Sequence, residues 1–232
     1  MIRPELLEDI RARTLAFWEE HVQVDSFTSI FAGKEIGHRV ADYVDETTVA
    51  FLESHFDTGY ELSSQGKRRP RSMGDVWIKS NDMYNPVNVK AGVYGSFGQP
   101  NLVSLTKLID GLMSRQIDSY YLLFVKTEIS TTQLLPHVRI VDMLDYLDFV
   151  AFDAGPGQAM LREKKFFEEV SSYTTPPLTV PEKLEKCFEL LQDGDRRLIE
   201  NRKAKMDRML KRLDRYRRTG SHRIDQTGLS IG

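Results

Sequence analysis

The sequence of 232 residues predicts an α/β fold built around a mixed β-sheet, with a helical C-terminal arm. Residues 4–22 and 34–56 space their apolar side chains three and four apart, as amphipathic helices do. The pattern then changes, because residues 75–79 and 87–94 alternate or are β-branched and the turn-forming run SNDMYNP separates them. We therefore expect two N-terminal helices followed by a β-hairpin.

The rest of the chain completes the predicted sheet and adds the arm. Residues 118–129 are strongly apolar and should form a central strand, which follows a helix over 101–116. Further elements are strands over 137–143 and 157–166, a short helix or extended piece over 144–152, and helices over 181–192 and 195–217. The expected units are a core with the N-terminal helices (1–175), the basic helical arm (176–218) and a flexible tail (219–232).

Composition excludes several classes of protein. The chain is 41% hydrophobic and 28% charged, which is typical of a globular domain and excludes a mainly disordered or fibrous chain. Its single cysteine, Cys187, excludes an intrachain disulfide framework and a cysteine-rich zinc module, and we expect it to be a packing thiol. No signal-type run or stretch of about 18 apolar residues occurs, so we expect a cytoplasmic protein that does not cross a membrane.

Charge is unevenly distributed along the chain. Residues 196–223 hold 12 Lys/Arg against 3 acids, a local charge of +9, which leaves −11 for the remainder. A second basic cluster consists of Lys67, Arg68, Arg69 and Arg71. Such clusters are typical of surfaces that face a polyanion, although a solvated helix face explains the C-terminal run equally well.

Three residues of the predicted hairpin suggest phosphodiester chemistry. Asp75 begins the first strand, and Asn88 and Lys90, two apart on the second strand, share one face. Mg²⁺ prefers carboxylate and carbonyl oxygens, here Asp75, the Asn88 amide and the Val89 backbone carbonyl, while a lysine can orient the attacking water. Acids and lysines at such strand positions are also common without any catalytic role.

The order of motifs adds a resemblance. The runs GDVWIK, VNVKAG and GQPNLVSLTKLI, preceded by GKEIGHRVADYV, resemble type II restriction endonucleases of the PD-(D/E)XK superfamily, especially its blunt-cutting group, over about residues 33–128. Asp75 matches the first acid of the motif and Lys90 its lysine. The resemblance implies a PD-(D/E)XK nuclease core and Mg²⁺, with Mn²⁺ as a substitute. It also implies a homodimer that cuts a palindromic site in double-stranded DNA to blunt ends with 5′-phosphates, and a cognate DNA methyltransferase in the same system.

Asn88 departs from this pattern, because the superfamily has Asp or Glu at the corresponding position. An amide oxygen can still bind a metal but removes one negative charge from the site. Three explanations of Asn88 remain open. The protein is a natural variant in which another acid serves the site, the site is catalytically weakened, or the asparagine was introduced to trap uncut DNA. Glu35 or Asp42, on the preceding helix, is a candidate for an additional acid.

The resemblance also implies DNA contacts. Gln99 and Asn101, in the loop GSFGQPN and at its end, would approach base edges, since both amides can pair with adenine. Asn101 could also be the N-cap of the following helix. Gln65 is a weaker candidate, and Lys67, Arg68, Arg69 and Arg71 would bind phosphates. The alternatives are a nuclease-fold protein that binds DNA without cutting it and an interaction protein unrelated to DNA.

Overall fold

A computed structural model describes residues 1–21, 36–62, 65–67, 72–129, 134–155, 157–173 and 176–219. Its α-helices are α1 (Pro4–His21), α2 (Ile36–His55), α3 (Leu105–Met113), α4 (Glu163–Glu169) and α5 (Val180–Thr219). Two 3₁₀ segments span Met143–Phe149 and Val170–Ser172. Among these described helices, none is long and apolar enough to cross a membrane.

The described strands form two sheets. They are β1 (Thr58–Gly59), β2 (Val76–Ser80), β3 (Met83–Val93), β4 (Asn101–Ser104), β5 (Tyr121–Ile129), β6 (Leu134–Asp142), β7 (Val150–Asp153) and β8 (Gln158–Leu161). The larger sheet has the order β1-β2-β3-β5-β6, in which β3 and β5 are parallel and the other neighbours are antiparallel. The smaller sheet, β4-β8-β7, is antiparallel. The predicted α/β class with a mixed central sheet and flanking helices is therefore confirmed.

Helices cover both faces of the larger sheet. α1 and α2 pack on one face, where the Trp18 indole N–H donates to the Thr48 hydroxyl at 3.0 Å and joins the two helices. α3 and the first part of α5 pack on the other face. β5 is buried on both sides, with Leu123 toward α1 and α2 and Phe124 toward α4, which explains its continuous apolar sequence.

The hairpin turn is shorter than predicted. Only Asn81 and Asp82 form it, with φ of 51° and 59°, as in a type I′ turn. Residues 83–86 belong to β3, and Pro86 lies opposite Trp77. The prediction of a seven-residue turn was wrong because Asn and Pro were both read as turn residues, although Pro86 lies within the strand.

Two helix boundaries also differ from the prediction. Asn101 begins strand β4, where it lies opposite Met160, so it is not an N-cap; α3 begins at Leu105, after Ser104. The two predicted C-terminal helices are one helix of 40 residues. Gly194 does not interrupt it, because its missing side chain admits the Phe152 ring: a Cβ there would lie 2.2 Å from a ring carbon.

Candidate functional site

The candidate site lies where β3 loses its antiparallel partner. β2 begins only at Val76, opposite Val87, so the next part of β3 has β5 on one side and an open edge on the other. Two aspartates occupy this edge. The Val89 N–H donates to the Asp75 carboxylate at 2.8 Å, and the Ala91 N–H donates to the Asp45 carboxylate of α2 at 2.9 Å.

A groove of about 420 Å³ opens beside these aspartates. It lies between α2 and the open edge of β3, so helix acids face strand residues across it. Its lining residues are Asp45, Glu46, Val49, Ala50, Glu53, Asp75, Val89 and Lys90. The groove therefore brings three of the predicted site residues together, and it adds acids from the helix.

The ionisable groups of the groove influence one another. Burial raises the pKa of Asp45 from 3.8 to about 6, opposed by the Ala91 N–H and the Lys90 ammonium and reinforced by the Asp75 charge. Burial also lowers the pKa of Lys90, while the carboxylates of Asp75, Asp45 and Glu163 oppose that change. A half-buried lysine thus lies within electrostatic range of several carboxylates, which is an arrangement frequent at functional sites.

Asn88 lies on the same face of β3 as Lys90 but does not line the groove. It is only 7% exposed, and its Oδ1 atom is buried with no hydrogen-bond partner among the described residues. The fully buried Tyr120 hydroxyl likewise has none among them, and its pKa is raised by burial and by the nearby Asp75 charge. A buried amide oxygen without a donor can accept a ligand's hydrogen bond or coordinate a cation.

A buried ion pair lies within electrostatic range of Lys90. Lys126 of β5 and Glu163 of α4 are 2.5 Å apart, with side chains 8% and 3% exposed. The second carboxylate oxygen of Glu163 accepts the Gly98 N–H at 2.9 Å, which anchors the loop 95–100. Gly92 provides space for this pair, because a Cβ there would lie 2.9 Å from the Lys126 ammonium. The loop predicted to approach DNA is therefore connected to the interior near Lys90.

Among the described residues, the DNA-binding candidates Gln65, Lys67, Gln99 and Asn101 do not line the groove. Gln99 and Asn101 are exposed, on the loop and at the start of β4. Gln65 and Lys67 are exposed in the segment between β1 and β2. Glu35, Arg68, Arg69 and Arg71 lie outside the described residues. Their proposed roles therefore stay predictions.

Asp45 is a site residue that was not predicted. The predicted helix acid Asp42 is exposed and does not line the groove, whereas Asp45 faces the strand edge. The available signal was helical spacing, because Asp45 directly follows the buried Val44 and precedes the groove residue Val49 by four positions. An acid at that position lies at the margin of the packed face of the helix rather than in free solvent.

No protein-family model matches the chain, and no curated protein matches it.

Within the part of the chain that the structure describes, no group of three or more His, Cys, Asp or Glu side chains could hold a metal ion.

Proposed function

We propose that the chain is a Mg²⁺-dependent endonuclease that hydrolyses phosphodiester bonds in a palindromic site of double-stranded DNA, as a homodimer, in the manner of type II restriction enzymes. The observation that carries the proposal is the convergence of Asp75, the Val89 backbone and Lys90 at one open strand edge. The order of elements supports it too, since an antiparallel β1-β2-β3 unit followed by α3 and a parallel β5 is expected of a PD-(D/E)XK core.

The oxygen donors at this edge suit a hard divalent cation. In a β-strand the N–H and C=O of one residue point to the same side, so the Val89 carbonyl faces the edge at which its N–H meets Asp75. The buried Oδ1 of Asn88, which lies outside the groove lining but on the same strand face as Lys90, is a second neutral oxygen donor. Together with the Asp75 carboxylate these groups fit Mg²⁺ or Mn²⁺, with water filling the remaining positions. When bound, the ion would supply positive charge to the developing phosphorane and the leaving oxygen.

The protein's own residues have separate roles in this proposal. Lys90 holds the attacking water and offsets the negative charge of the phosphate, while the Asp75 carboxylate opposes the lowering of the lysine pKa by burial. The pKa of Asp45, about 6, is close to neutral pH, so the Asp45 carboxylate can accept the proton of that water. Asp45 is also the acid that a natural Asn88 variant would recruit.

The test is digestion of a long mixed-sequence DNA by the full chain with Mg²⁺, Mn²⁺ or chelator. We expect discrete metal-dependent bands with blunt, 5′-phosphorylated ends, and their loss in Lys90→Ala. Lys79→Ala is the matched control, because Lys79 lies on the same hairpin, pairs with Asp57 and does not line the groove. Equal digestion by both lysine variants would refute the assigned role of Lys90.

A second candidate function follows from Asn88. With a neutral residue at the motif position the chain would bind a specific DNA site without cutting it, and the affinity would fall steeply with salt. In that case bands appear only for Asn88→Asp. If no variant cuts DNA, and no duplex binds at low salt, both nucleic-acid proposals are wrong.

A further inference from the structure

The last half of α5 extends away from the rest of the described protein. Its first part, the packed segment (180–198), lies against the core through the buried Lys183, Cys187 and Gly194. In the projecting segment (199–218) every residue is exposed. At 1.5 Å per residue this segment is about 30 Å long.

The projecting segment carries an apolar stripe. Ile199, Met206 and Leu213 recur every seven residues, and Met209 and Tyr216 each follow by three. These five side chains are between 42% and 66% exposed. Spacing of seven and three is the pattern of a helix that packs along another helix in a coiled coil. A continuous exposed stripe of this size is typical of an interaction surface.

The helix face that carries the stripe continues along the outward side of the packed segment, where it is polar except at Phe188. Seven-residue steps back from Ile199 reach Gln192 and Glu185, and the intervening positions are Phe188 and Asp195. All four are exposed, and Phe188 is 41% exposed although it is aromatic. One face of the helix therefore remains accessible along its whole length.

Charge divides the helix into two unlike halves. Residues 180–195 contain five acids and two lysines, a charge of −3, whereas 196–219 contain eleven Lys/Arg and three acids, a charge of +8. Two helices placed in parallel, or two projecting segments placed on each other, would bring basic residues together. An antiparallel arrangement instead sets the basic half of each helix along the acidic half of the other.

We propose that a second copy of this chain covers the stripe. The two α5 helices pair antiparallel, so that the projecting segment of each copy lies along the packed segment of the other. Leu213 then meets Phe188 of the second copy, and Arg217 lies between Glu182 and Glu189 of that copy. This interface would hold together the homodimer of the proposed endonuclease. Dimerisation is measured without DNA or metal, so loss of the dimer and loss of cleavage are distinguishable.

Cysteine crosslinking tests the direction of pairing. On mild oxidation of the full chain, Phe188→Cys/Leu213→Cys should give a covalent dimer in at least half of the molecules. Neither single variant should do so, and the buried Cys187 stays unreactive. A dimer from Leu213→Cys alone would indicate parallel helices, and one from Met206→Cys/Met209→Cys would indicate pairing of the projecting segments only. Either result, or a protein that stays monomeric by light scattering at high protein concentration, overturns the proposal.

Charge reversal tests the partner. We expect Arg217→Glu to weaken dimerisation at least tenfold and Arg217→Glu/Glu189→Arg to restore it. The matched control is Arg218→Glu, which makes the same charge change on the neighbouring residue, outside the stripe. If both single variants weaken the dimer equally, or if they change only DNA binding, the pairing is refuted.

Discussion

Replacing Asp45 by asparagine should stabilise the protein at neutral pH and leave its stability unchanged in acid. The Asp45 carboxyl has a pKa of about 6 in the folded protein against 3.8 ordinarily. An acid whose pKa is higher in the folded state destabilises the fold once it ionises. The penalty is absent below about pH 4, grows between pH 4 and 6, and is constant above that range.

The size of the effect follows from the pKa shift. A shift from 3.8 to about 6 corresponds to at most about 3 kcal/mol, since one pKa unit is worth about 1.4 kcal/mol. Asp45 is half-buried and the groove is open, so solvent screening reduces the expected gain to about 1–2 kcal/mol at pH 8. Asparagine keeps an oxygen that can accept the Ala91 N–H, so this hydrogen bond should survive.

The assay is urea unfolding of both proteins between pH 4 and pH 8, in chelator so that no divalent cation binds. Asp42→Asn is the matched control, because Asp42 is an exposed acid one turn earlier on α2; it should change the free energy of unfolding by less than about 0.5 kcal/mol. Equal stability of Asp45→Asn and the parent at pH 8, or a gain that persists undiminished at pH 4, would refute a carboxylate of raised pKa at the edge of β3.

Three further predictions concern α5. Gly194→Ala should lower the free energy of unfolding by about 1–3 kcal/mol because its methyl group would overlap the Phe152 ring; a gain in thermal stability would contradict that packing. Lys183→Met should lower the free energy of unfolding by about 3–5 kcal/mol at pH 7, because it leaves the buried Asp142 carboxylate without the ammonium 2.6 Å away. In urea titrations, the double variant Lys183→Met/Asp142→Asn should recover part of this loss. The Cys187 thiol, whose pKa burial raises to about 12, should react with a thiol reagent at pH 8 only as fast as the protein unfolds, so complete labelling within seconds would be inconsistent with its burial.

Local patterns predicted most of the larger sheet, but the strand predicted over 157–166 ends at Leu161 and is followed by helix α4. The apolar run that forms β5 and the alternation in the hairpin depend on burial of whole strands, which sequence periodicity records directly. The errors occurred where tertiary packing overrides local preference. Asn101 has the chemistry of an N-cap but pairs with β8, and Gly194 resembles a helix break but makes room for an aromatic ring.

The candidate site was predictable in part. Asp75, Val89 and Lys90 are close in sequence and belong to one hairpin, so strand geometry alone brings them together. Asp45 lies on α2, thirty positions before Asp75, and its approach to β3 depends on how that helix packs across the sheet. Spacing within one element cannot report such a contact between elements.

The open edge of β3 has a consequence for how variants of this protein should be designed. Asp75 and Asp45 replace the missing neighbouring strand as hydrogen-bond acceptors, and in doing so they protect an exposed edge that could otherwise pair with another chain. Truncating either aspartate to alanine would therefore expose backbone donors as well as remove a charge, and aggregation could be mistaken for lost activity. Amide substitutions keep an acceptor at the edge and change the charge alone, so they separate the two roles.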